Sequence, residues 1–61
     1  MDTAEKVATA IKPKITPEMK ENDKIALMGP ALREMGFNNK EVTYMLSYDQ
    51  DFIPDVLANL K

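Results

Sequence analysis

A chain of 61 residues is one small domain that buries only about 60% of the surface its unfolded form exposes, so few side chains fit in its core. It has no Cys and no His, which removes disulfides, thiolate metal sites and the usual bases and nucleophiles of catalysis, and it fits a reducing, cytoplasmic interior. Lys and Arg number 8 against 10 Asp and Glu; residues 1–37 balance to zero and residues 38–61 carry the −2, so the basic stripe of a nucleic-acid surface is missing. No apolar run approaches the roughly 20 residues of a membrane span, and charges run through residues 1–20, so neither a signal peptide nor an anchor is expected.

Residues 2–12 place Ala4, Val7, Ala8 and Ile11 at helical spacing, with Asp2 as the cap, and Pro13 ends the segment because a residue before proline avoids helical geometry. An Ala-rich face buries little area, so the expectation is a weakly docked N-terminal helix or a frayed arm, followed by an extended connector over residues 13–17. Residues 1–16 thus form the arm and connector, and residues 17–61 the domain proper. The second helix is expected from Thr16 as cap, with Pro17 at the first helical position and Glu18 at the positive end of the dipole. Ile25, Met28, Leu32 and Met35 recur in steps of three, four and three, an amphipathic stripe, with Leu27 and Ala31 beside them. Gly29-Pro30 interrupts it; the stripe stays in phase beyond, which favours a kink over two helices broken near Met28.

Gly36 follows that stripe as a helix stop, and Asn38 with Glu41 three residues later has the capping-box spacing. The next helix runs to about Tyr48 with Val42, Met45 and Leu46 inward. Asp49–Asp51 is a polar turn, and a last helix buries Ile53, Val56, Leu57 and Leu60. Helices are therefore expected near 17–35, 39–48 and 52–60, around a core of Ile25, Met28, Leu32, Val42, Leu46, Ile53, Val56 and Leu57. No stretch alternates as a strand does. The fold class is all-α: a compact three-helix bundle with a short N-terminal helix or arm.

Met35-Gly36-Phe37 at the first junction, Val42 and Leu46 in the second helix, and Ile53, Val56, Leu57 and Leu60 in the third resemble the pattern of a ubiquitin-associated (UBA) domain over residues 24–61, with Met28 and Leu32 fitting its first helix. Pro30, the N-terminal segment, Phe52 and the single terminal apolar residue Leu60 depart from the family. The resemblance implies a non-catalytic module that meets an apolar patch of a partner, ubiquitin in the family, through Met35, Gly36 and Phe37 together with Leu57 and Leu60. Fold alone does not fix the partner.

The residues leave several roles open. Met35 and Phe37 either close the helix corner or anchor an interface, Met and aromatics being favoured on adaptable surfaces. Tyr44 and Tyr48 lie four apart; Tyr44 is expected exposed as a binding anchor, while Tyr48 and Phe52 either extend that ridge or pack on the N-terminal arm. The candidate partner-binding set is therefore Met35, Gly36, Phe37, Tyr44, Leu57 and Leu60. Asp49, Asp51 and Asp55 do not fit a calcium loop, because Ile53, Pro54 and Leu60 stand where a ligand, glycine and glutamate are required. Neither metal nor cofactor is expected, and Ser47, the only serine, has no partner base, so an enzyme is not expected. A protein partner is the first reading, with a monomer or weak dimer. A second is a small stand-alone regulator or inhibitor of another protein. A third is a helix-turn-helix regulator that offers Asn39, Lys40 and Thr43 to bases, against which three nearby aspartates weigh.

Overall fold

Four α-helices follow one another in the computed structural model, which describes residues 2–61. Met1, the first residue of the expected arm, lies outside the described residues. They are α1 (Thr3–Ile11), α2 (Glu21–Glu34), α3 (Asn39–Ser47) and α4 (Phe52–Asn59), with a 3-10 turn at Lys12–Lys14 after α1. The described residues include no strand, and the fold is all-α.

The N-terminal segment is not a frayed arm. Asp2 caps α1 by accepting from the Glu5 N–H at 2.8 Å. Ala4, Val7, Ala8 and Ile11 are all buried, and they are four of the ten buried apolar residues among those described. This helix packs most extensively on α4 and next on α2, so it joins the two rather than trailing from them. Small area per alanine is a poor measure here. Short side chains let neighbouring helices come close, and a central helix is covered from two sides. The division at residue 16 therefore does not separate an arm from a core. The connector is also less extended than its two prolines imply: Pro13 sits inside the 3-10 turn, and Ile15 is the first extended residue.

The second helix begins four residues later than Thr16-Pro17-Glu18 implies. Those residues form a turn instead, closed by Met19 N–H donating to the Thr16 carbonyl at 3.1 Å and Thr16 N–H donating to the Met19 sulfur at 3.2 Å. Proline at the second position of a turn suits a β-turn as well as a helix start, and here the turn wins. Lys20 is the N-cap residue, its N–H donating to the Asp23 carboxylate at 3.1 Å.

From Glu21 the helix runs without a break through Pro30, so the two-helix alternative falls. Pro30 has no N–H for the Ala26 carbonyl, but both residues are exposed, and water can serve that oxygen. Gly29 eases the same step, since the residue before a proline resists helical geometry partly through its Cβ. Met28, Gly29, Ala31 and Leu32 form the buried face.

The corner between α2 and α3 follows from its sequence. Gly36 has φ of 101°, and Gly36 N–H donates to the Arg33 carbonyl at 3.0 Å while Phe37 N–H donates to the Leu32 carbonyl at 3.2 Å. This pair of bonds is the Schellman stop, which needs a residue free of the left-handed penalty. Asn38 and Glu41 then form the reciprocal box: Asn38 Oδ1 accepts from Glu41 N–H at 2.8 Å, and Glu41 Oε1 accepts from Asn38 N–H at 3.0 Å.

Of the expected core, Met28, Leu32, Val42 and Val56 are buried, whereas Ile25, Leu46, Ile53 and Leu57 are half-buried against it. The places they leave are taken by α1 and by Phe52, which is 6% exposed.

Candidate interaction surface

Among the described residues three large apolar side chains remain exposed: Met35 at 36%, Tyr44 at 60% and Tyr48 at 71%. All three fall between residues 35 and 48, at the α2–α3 corner and along α3. Met35 is the C-cap residue of α2, where the stripe that buries Met28 and Leu32 has run past its covering neighbours, so it is not a core residue. Gly36 is exposed, and nothing lies within 4 Å of where its Cβ would stand. Phe37 is half-buried against the core, one face closing the corner and the rest open.

Tyr44 and Tyr48 stand one helical turn apart, their ring centroids 6.0 Å apart and planes inclined by 28°. The rings stack on each other and not on the core. Tyr48 thus parts company with Phe52: the tyrosine stays out, while the phenylalanine goes in on the first turn of α4. Position decides this. Phe52 precedes Val56 by four and shares its inward face, whereas Tyr48 continues the outward line of Tyr44. Asn39, Lys40, Thr43, Tyr44 and Tyr48 line one shallow, open concavity on α3. Arg33 Nε donates to Asn39 Oδ1 at 3.0 Å, which fastens the end of α2 to the start of this face.

Leu57 and Leu60 are half-buried and lie elsewhere. They line a separate concavity with Glu21, Lys24 and Lys61. Glu21 and Lys24 begin α2 and Met35 caps its end, and a helix of 14 residues rises about 20 Å. The corner and the end of α4 are therefore at opposite ends of α2. Of the six candidate residues, Met35, Gly36 and Phe37 are together, Tyr44 lies along the helix they start, and Leu57 and Leu60 are apart.

Asp49 Oδ1 accepts from the Asp51 N–H at 3.0 Å and closes the turn before α4; the side chain of Asp51 makes no cap bond. Among the described residues no three carboxylates come together in a metal-binding group, and no helix is long and apolar enough to cross a membrane. Tyr48 is the surface residue that sequence reasoning left undecided, although its spacing from Tyr44 was the signal for it. No protein-family model matches the chain, and neither a curated protein nor a solved structure matches it.

Proposed function

We propose that this chain is a non-catalytic protein-interaction module that meets an apolar patch of a partner through the Met35–Phe37 corner and the outer face of α3. One observation carries the reading: among the described residues, the exposed large apolar side chains all fall within residues 35–48. Rigid rings that the core does not use supply contact area at low entropic cost. The corner below them is held by the helix stop and the capping box, so the surface is set before any partner arrives.

On the UBA resemblance, α2, α3 and α4 stand for the family's three helices, α1 is an addition to them, and ubiquitin is the partner named. Leu57 and Leu60 are left out of the proposed surface because of where they lie. A titration of the labelled chain with ubiquitin to about 1 mM tests that partner at the weak end of binding. Shifts at Gly36 and Tyr44 are expected, and unmoved spectra remove ubiquitin. A stand-alone regulator of another protein would use the same surface, and capture from the source cell followed by loss of binding in Tyr44→Ala tests it.

A second reading has a specific observation behind it. Asn39, Lys40 and Thr43, the base-reading candidates of a helix-turn-helix, line one concavity on α3. Asp49 and Asp51 at the end of that helix oppose phosphate, and a retarded DNA band that fades steeply with salt is the result that would favour this reading.

A further inference from the structure

We infer that Arg33 is the recognition point of the corner: its guanidinium takes an aspartate or glutamate carboxylate that borders the partner's apolar patch. This rests on the reading that the corner and α3 form a contact surface, and it names a chemical requirement of the partner. Arg33 stands exposed in the last turn of α2, and its Nε donates to Asn39 Oδ1 at 3.0 Å. Its Nη1 lies over Gly29, 3.7 Å from where a Cβ would stand, and Leu46 Cδ1 is 3.9 Å from the same point. A long side chain is thus held against both α2 and α3. Asn39 lines the α3 concavity, and the Arg33 carbonyl accepts from Gly36 N–H, so Arg33 belongs to both halves of the surface.

The charge of that side chain is not answered within the chain. Asn39 is neutral, and among the described residues its bond is the one that the Arg33 guanidinium donates. Three and four residues before Arg33 stand Pro30 and Gly29, and three and four after it Gly36 and Phe37, so no carboxylate shares its helical row. Glu34, the next residue, is turned about 100° around the helix. Glu41 spends Oε1 on the Asn38 N–H. A cation at the end of a helix suits the dipole, but a mobile lysine would serve that as well. A held arginine adds a planar edge. With Nε committed to Asn39, one N–H of each Nη points the other way, the pair of donors that a carboxylate accepts side by side.

A carboxylate suits this place better than a phosphate. Residues 33–51 hold Arg33 and Lys40 against Glu34, Glu41, Asp49 and Asp51. That acidic surplus opposes a dianion or a polyanion more than it opposes a single charge. An arginine fixed before binding loses little further freedom, as suits an anchor beside aromatic rings. Exposure limits the gain to a few-fold in affinity.

NMR titration of the labelled full chain with phenylacetate tests this without a known partner, with phenylacetamide as the uncharged isostere at matched ionic strength. Over a range to about 50 mM, where a fragment binds, the acid should move the Arg33 Nε–H and the Asn39 side-chain amide. It should bind at least about threefold more tightly than the amide. Arg33→Gln should abolish that preference and Arg33→Lys reduce it; if the Gln variant does not fold by circular dichroism, the Lys variant decides. Equal binding of acid and amide, or a preference that survives in the deciding variant, overturns the inference. Inorganic phosphate that binds at Arg33 more tightly than the acid overturns it too, in favour of a nucleic-acid partner. Shifts at Phe37 and Tyr44 with both probes, but no preference, sink the carboxylate and leave the contact surface standing. No shift from either probe within residues 33–48 removes both.

Discussion

Helices α1 and α3 are each nine residues long and use their apolar residues in opposite ways. Helix α1 buries Ala4, Val7, Ala8 and Ile11, small or medium side chains, and lies against two neighbours. Of α3, only Val42 is fully buried, and Tyr44 on its outer side, with Tyr48 just past its end, faces water. Size of side chain is thus a poor guide to depth. In so small a domain the helix of alanines holds the fold together, and the helix with the large rings is free to do something else. Helix α1 gives the core four side chains, whereas α3 gives it Val42 and keeps its ring outside.

The largest test of that contrast is removal of residues 1–11. A core of this size supplies roughly 3–5 kcal/mol, and α1 contributes four of its ten buried apolar residues, so the truncated chain should lose its cooperative melt. A sharp thermal transition in the truncated chain would return α1 to the status of an arm.

Next comes Ile11→Ala, which empties a fully buried site and should cost about 2–5 kcal/mol by denaturant unfolding. Leu46→Ala should cost less than that, since Leu46 is only half-buried. If Leu46→Ala is the worse of the two, the weight of the core lies on α3 after all.

Gly36→Val follows, at more than about 1 kcal/mol, because β-branching is poorly tolerated at positive φ. Open space around the missing Cβ means that this cost is one of backbone conformation alone, so Gly36→Asn should be milder. Equal melting of the two variants would show that the turn does not need the left-handed residue.

The smallest effect is expected from Tyr44→Ala. The stacked pair is exposed, and losing one ring should change stability by no more than about 0.5 kcal/mol, while partner binding weakens at least tenfold. A large drop in melting temperature would erase the distinction between the two helices.

What the sequence disclosed was mostly local. Gly36, Asn38 and Glu41 act on atoms within five residues of themselves, and both the stop and the start they signal are where the spacing put them. The inward positions Met28, Leu32, Val42 and Val56 were legible for the same reason, through helical period. Thr16-Pro17-Glu18 misled because one short pattern serves two structures; the helix takes Lys20 as its N-cap instead, with Asp23 accepting from the Lys20 N–H. The depth of α1 was hidden because it depends on α4, some forty residues away, and no local pattern reports that contact. Among the site residues, Tyr44 was legible as a surface residue, whereas the separation of Leu57 and Leu60 from the corner is a property of packing order alone.

The gap that Pro30 leaves in the ladder of α2 has a consequence for exchange with solvent. Amides on the two sides of an absent bond are not obliged to open together. Residues 31–37, closed by the helix stop and fastened to the start of α3 through the Arg33–Asn39 bond, form one candidate unit, and residues 24–28 form another. Their deuterium uptake should separate into two rates, with the step falling at Pro30.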